Sequence, residues 1–136
     1  MKRTASAHWE GDLKTGKGHI SSQSTVLNNT QFSFKTRFED GIGTNPEELL
    51  AAAHAGCFTM AVGAALTQAG TPATSLDTVA TLNLEGLDIT GIHLSINGKV
   101  PSITAEQFAE YTKGAEKNCI ISKALKVNIT SESQLL

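Results

Sequence analysis

Two cysteines, Cys57 and Cys119, are the only thiols in a chain of 136 residues, and thiolate chemistry is the most reactive option the sequence offers. They are too few and too far apart for a disulfide-stapled miniprotein or a four-thiolate zinc site. His54 stands three residues before Cys57, but a His-x-x-Cys pair supplies only two ligands and no second pair follows at metal spacing. A protease-type Cys–His nucleophile lacks a third, orienting group, so His54 is read as a packing or hydrogen-bonding residue. For Cys57 itself the default is a small buried hydrophobe. To be reactive it needs a cation or a helix N-terminus to lower its pKa. It lies about three turns inside the helix that Pro46 opens, too deep for the helix dipole to act strongly. Another positive group is required. Arg37 is the candidate, and its competing role is a solvated residue paired with Glu39.

The composition narrows the setting. Eleven Lys and Arg against thirteen Asp and Glu give a formal charge of −2, with 40% hydrophobic and 18% charged residues. Without a Lys/Arg-rich run, a nucleic-acid or anionic-membrane partner has no electrostatic support. The length fits a single domain, 1–136. Met1–Asp12 has a positive start but no apolar stretch, which predicts a cytoplasmic protein and makes the sequons at Asn28 and Asn128 chance matches.

The elements that must position these residues follow from periodicity. Thr4–Glu10, Gly16–Ser22 and Gln31–Phe38 read as strands, the third with Phe32, Phe34 and Thr36 on one face and Lys35 and Arg37 on the other. Asn45, Pro46, Glu47 and Glu48 then mark a helix start, although Thr44 and Glu47 also have capping-box spacing. Leu49–Leu66 is apolar nearly all round and long enough to suggest a membrane span. Seven of its eighteen residues are Ala and neither flank carries an aromatic or basic anchor, so the preferred reading is the buried centre of a fold or dimer. Gly70 and Pro72 end the helix. Ser75–Glu85 and Gly91–Val100 form an antiparallel hairpin, with Leu76, Val79, Leu82, Leu84, Ile89, Ile92, Leu94 and Ile96 as candidate core. Thr104–Gln107 opens a second helix, whose inner face is Phe108, Tyr111, Ala115 and Cys119. Ala124–Glu132 closes the chain as a strand with Leu125, Val127 and Ile129 inward. The class is α+β with antiparallel sheet.

The whole pattern resembles the OsmC family, in its OsmC rather than its organic-hydroperoxide-resistance branch. The resemblance rests on Thr36-Arg37-Phe38-Glu39, on Asn45-Pro46-Glu47-Glu48-Leu49, and on Ala55-Gly56-Cys57-Phe58 with Cys57 ten residues after Glu47. It extends to Ala7-His8-Trp9-Glu10-Gly11-Asp12 and to the cysteine before Ser122-Lys123-Ala124-Leu125. It implies an OsmC-like fold with the order of three strands, helix, two strands, helix, strand, in an intertwined homodimer with sheets around central helices. It also implies a thiol-dependent peroxidase of organic hydroperoxides and, more weakly, hydrogen peroxide. By position, Cys57 is then the peroxidatic thiol and Cys119 the resolving thiol. Arg37 stabilises the thiolate and Glu47 orients Arg37. One departure stands out: Ile120 occupies the place after the second cysteine where the family usually has Pro, and this predicts a second helix that runs further.

Helix geometry adds a constraint. Ten residues of straight helix separate Glu47 from Cys57 by about 15 Å along the axis. Either the helix is broken or Glu47 of a partner subunit reaches Cys57, and the second option predicts composite sites in a homodimer. The implied chemistry passes through a Cys57 sulfenic acid and a Cys57–Cys119 disulfide that an external dithiol reduces, with no metal, haem or flavin. Phe58, Met60, Phe38 and Tyr111 are candidates for an apolar entrance. A redox sensor or a binder of small apolar ligands on the same fold are the competing functions.

Overall fold

The computed structural model describes residues Met1–Leu136 and divides into two compact units, Met1–Leu49 and Leu50–Leu136. In the first unit, β1 (Ala5–Glu10), β2 (Lys17–Ser22) and β3 (Thr30–Phe32) form an antiparallel sheet in that order. Gly18 faces both Trp9 and Phe32. A Cβ there would lie 2.5 Å from the Phe32 ring and 2.7 Å from the Trp9 indole, so only glycine lets these aromatics close over the strand.

The third strand is shorter than its periodicity predicts. After Phe32 the chain turns into a short helix, α1 (Lys35–Phe38), and Arg37 therefore projects from a helical turn. The cause is local. Ser33 N–H donates to Thr36 Oγ1 at 3.1 Å and Thr36 N–H donates to Ser33 Oγ at 3.2 Å, a reciprocal pair at capping-box spacing. Phe34 and Phe38 pack against each other one turn apart, with ring centroids 4.9 Å apart and the rings tilted by 55°.

Helix α2 (Pro46–Gln68) is continuous, which removes the broken-helix alternative. Asn45 is its cap: Glu48 N–H donates to Asn45 Oδ1 at 2.8 Å. At the other end Gly70, with φ of 78°, closes a Schellman motif. Its N–H donates to the Thr67 carbonyl, and Thr71 N–H donates to the Leu66 carbonyl, both at 3.0 Å.

In the second unit β4 (Ser75–Glu85) pairs antiparallel with β5 (Asp88–Lys99), as the hairpin pattern predicts. Val79 does not join the core. The inner face of β4 runs through even-numbered residues such as Leu76, Ala80 and Leu82, and Val79 points outward, 65% exposed. The last strand, β6 (Asn128–Leu135), begins later than predicted, so Leu125 and Val127 precede it. It pairs parallel with β5, and the sheet is mixed rather than wholly antiparallel. A parallel pair needs a crossover, which α3 (Ala105–Asn118) and α4 (Ile120–Ala124) supply. Thr104 and Gln107 form the predicted capping box on α3.

The core of this unit joins Phe58, Val62 and Leu66 of α2 to Ile92, Leu94 and Ile96 of β5 and Phe108 of α3. Although α2 is long and apolar enough to cross a membrane, its fully buried stripe of His54, Phe58, Val62 and Leu66 is that of a core helix. Ala52, Ala53, Gly56 and Met60, on other faces, are exposed.

Candidate active site

Asn45 builds the first cluster. While its Oδ1 caps α2, its Nδ2 donates to the Thr36 carbonyl at 2.9 Å and ties the start of α2 to α1. Thr36 is buried and its Oγ1 donates to the Thr44 carbonyl at 2.9 Å, which closes the loop between them. This brace brings Arg37 to Glu47: Nε donates to Oε2 at 3.2 Å and stands 3.1 Å from Oε1. The expected pairing of Arg37 with Glu39 does not form; Glu39 lies 3.7 Å from Lys35 instead. Only Nε of Arg37 is engaged, so both Nη groups remain available to a ligand. Arg37 lines a pocket of about 240 Å³ together with Trp9, Leu13, Phe32, Phe34 and Pro46.

The second cluster lies in the second unit. Cys57 Sγ on α2 and Cys119 Sγ are 2.8 Å apart, both as free thiols, from positions 62 residues apart in sequence. That is well outside the roughly 2.05 Å of a disulfide bond, yet a bond can form with little movement of either sulfur. Cys119 does not continue α3. It caps that helix with a ψ of 136°, outside the helical region, and a new helix starts at Ile120. The predicted extension through Ile120 therefore does not occur. Ile120 takes the first position of α4, where proline is also tolerated because the N–H there has no intrahelical partner.

The electrostatics of the two thiols differ. Burial pushes the Cys57 thiol up, and its hydrogen bond with Cys119 pushes it further, against the backbone N–H groups of Ile121 and Ile120. Burial also opposes ionisation of Cys119. There the Cys57 thiol, the Ser122 N–H and hydroxyl and the Ile121 N–H outweigh it, and Cys119 is lowered. A groove of about 510 Å³ opens over the thiols, lined by Ala53, Met60, Ala61, Asn118, Ile120 and Ile121. Of the proposed entrance residues, Met60 lines this groove. Phe58 is wholly buried in the core, Tyr111 packs against that core, and Phe38 packs against Phe34.

His54 is wholly buried, and its Nε2 lies 2.8 Å from Ser122 Oγ. The hydrogen-bonding role expected of it is thus met by a residue that sequence reading passed over.

The family model described as "OsmC-like protein" matches residues 39–134. The chain is 46% identical over 139 aligned positions to "Peroxiredoxin OsmC" of Escherichia coli K12, covering 99% of this chain and 97% of the relative. Among solved structures, the organic hydroperoxide resistance protein OhrB of Bacillus subtilis superposes with a TM-score of 0.71 at 25% identity, covering 98% of each chain. An OsmC-like protein from Mycoplasma pneumoniae has the same fold, with a TM-score of 0.78 at 14% identity over 100% of this chain and 98% of that one.

Proposed function

The chain belongs to the OsmC family, and on that premise we propose that it is a thiol-dependent peroxidase that reduces organic hydroperoxides. The observation that carries this reading is the contact of two free thiols, Cys57 and Cys119, at 2.8 Å beneath an apolar groove. In the proposed reaction the Cys57 thiolate attacks the outer oxygen of the hydroperoxide. A sulfur–oxygen bond forms, the peroxide bond breaks, and the alkoxide leaves as alcohol after taking a proton. Cys119 then displaces the hydroxyl of the sulfenic acid, giving a disulfide and water. An external dithiol returns both residues to thiols by exchange.

Burial opposes ionisation of Cys57, so the attacking thiolate needs a cation. Arg37 is that cation in our reading, and Glu47 orients it through the Nε contact. Because α2 is unbroken, the separation of Glu47 and Cys57 along it favours delivery of both charged residues by a partner subunit. The unit of function is then a homodimer with two composite sites. The exposed Ala, Gly and Met side of α2 supports this, since small residues permit close approach of another helix. The protein would act in the cytoplasm.

Turnover of cumene hydroperoxide with a dithiol tests the reading. The wild type should turn over many times, Cys57→Ser should lose turnover entirely, and Cys119→Ser should accumulate sulfenic or over-oxidised Cys57. Stoichiometric oxidation without turnover would identify a redox sensor instead. Absence of thiol oxidation would leave a ligand-binding protein.

A further inference from the structure

Two contacts join α2 to the segment that carries Cys119, and they stand in register. Cys57 Sγ meets Cys119 Sγ at 2.8 Å, and His54 Nε2 lies 2.8 Å from Ser122 Oγ. His54 precedes Cys57 by three residues, and Ser122 follows Cys119 by three. Numbers rise on one side as they fall on the other, so these are two rungs between antiparallel segments, about 4.5 Å apart along α2. The peroxidase reaction outlined above uses the first rung and leaves the second without a role. Packing does not account for it. His54 has no exposed surface, and its Nδ1 is buried without a partner, an arrangement that an apolar side chain would avoid. Burial lowers the His54 pKa and keeps the ring neutral, with one proton. A buried N–H without an acceptor is rarer and costlier than a bare lone pair, so that proton sits on Nε2 and is donated to Ser122 Oγ.

Helix α4 has little else to place it. It has five residues, and so short a helix is not stable by itself. Ser122 is its one buried residue, while Ile120, Lys123 and Ala124 are exposed. Ile121 packs against the core, but an apolar contact is not directional. Cys119 moves with α4, because its carbonyl accepts from the Lys123 N–H at 3.0 Å. We propose that His54 and Ser122 are positioning residues: their hydrogen bond clamps α4 to α2 and so holds Cys119 within reach of Cys57. The role in turnover rests on the peroxidase reading. In that step the Cys119 thiolate forms the S–S bond as the S–O bond of the Cys57 sulfenic acid breaks. The departing hydroxyl takes up a proton, equivalent to the one Cys119 released, and leaves as water. Clamp and disulfide reinforce each other, since each favours the arrangement that the other needs.

The test breaks the clamp with Ser122→Ala, with His54→Leu and with both, and keeps a donor near the position of Nε2 with His54→Gln. Equilibration with reduced and oxidised glutathione gives the effective concentration of Cys119 at Cys57 without any peroxide. Amide exchange of Lys123 and Leu125, whose N–H groups close α4, reports how firmly the helix is held. Each single variant should lower the effective concentration about fivefold, the worth of one net hydrogen bond, and speed amide exchange by a similar factor. The double variant should lose no more than the larger single loss, and His54→Gln should recover most of it. Stopped-flow kinetics after a peroxide pulse should show disulfide formation slowed by the same factor. Glu116→Gln, which weakens a contact between α3 and β6, should leave all three readouts unchanged. Folded single variants with wild-type effective concentration and exchange overturn the proposal. So does a double variant whose loss is the product of the singles, or a Glu116→Gln protein that loses as much. A wild type whose Cys57 ignores hydroperoxide overturns the peroxidase reading instead, and the glutathione and exchange measurements still decide the clamp.

Discussion

Arg37, which lines a pocket of aromatic rings, and its partner Glu47 keep 33% and 19% of their side chains exposed, whereas Cys57 and Cys119 sit in an apolar groove with Cys119 only 2% exposed. The charged pair is arranged poorly for stability, since a part-exposed ion pair contributes about 0–1 kcal/mol. It is arranged well for binding, since only one of the three guanidinium nitrogens is engaged by Glu47. The thiol pair has the opposite character. Cys119 is part of the core and Cys57 packs against it, but burial raises the pKa of Cys57, the residue that must ionise in the proposed reaction. On the proposed reading each region supplies what the other lacks: one has charge without a nucleophile, the other a nucleophile without charge.

The largest effect should come from removing the charge. We expect Arg37→Gln to raise the Cys57 pKa by about one to three units and to slow its reaction with hydroperoxide about a hundredfold. Arg37→Lys should recover only part of this, because a point charge cannot bind Glu47 and the thiolate in the same fork. Mixing separately inactive Arg37→Gln and Cys57→Ser proteins asks which chain supplies the cation. With composite sites, each mixed dimer has one intact site, and about a quarter of wild-type activity returns on subunit exchange. No recovery would mean that each chain completes its own site, and the comparison would then describe two parts of one monomeric centre.

A smaller effect is expected at Gly56. A Cβ added there meets nothing within 4 Å in the chain, so no packing within the chain explains a glycine in mid-helix. Such a glycine costs about 0.5–1 kcal/mol relative to alanine. It is suited to the close approach of a second chain, beside Met60, which is 76% exposed. Gly56→Leu should keep the helical circular dichroism of the fold, shift sedimentation from dimer to monomer, and lower turnover about tenfold through the lost partner. A wild type that sediments as an active monomer would sink the composite site.

How much of this was legible in the sequence depends on how local each signal is. The Asn45-Pro46 helix start, the Thr104–Gln107 box, the stop at Gly70 and the β4–β5 hairpin are written within a few residues, and each appears in the structure. The third strand was misread because Ser33 and Thr36 offer the backbone side-chain partners that compete with a sheet ladder. The parallel pairing of β6 depends on a crossover whose direction no local pattern encodes. The break at Cys119 was missed because Ile120 carries no helix-stopping signal, and its place at the start of α4 is set by tertiary context. The site follows the same rule. Periodicity and spacing nominate Cys57 and Arg37 one by one, but the contact of Cys57 with Cys119 and the contact of His54 with Ser122 cross 62 and 68 residues. No spacing in the chain announces either of them.

The smallest expected effect separates charge that acts in chemistry from charge that holds the fold. The second unit has its own ion cluster. Lys113 Nζ donates to Glu116 Oε2 at 2.7 Å and to the Ser131 carbonyl at 2.9 Å, and Ser131 Oγ donates to Glu116 Oε2 at 2.5 Å, which ties α3 to β6. Unlike Arg37, Glu116 is nearly closed off, with 14% of its side chain exposed. Burial alone would push its carboxyl up; the Lys113 ammonium and the Ser131 hydroxyl outweigh this and hold it below the usual carboxylate range. A depressed folded pKa stabilises the native state above the unfolded value of about 4.3, and that contribution is lost as the pH falls through the folded value. Glu116→Gln should therefore lower unfolding free energy by about 1–2 kcal/mol at pH 7, with the gap to wild type closing below about pH 4. Urea titrations at several pH values measure this, and peroxidase turnover at pH 7 should be unaffected. A gap that persists at pH 2–3 would mean that Glu116 contributes through packing rather than through its charge. A drop in turnover would mean that the ion cluster of the second unit belongs to the site after all, and that the division between chemical and structural charge is wrong.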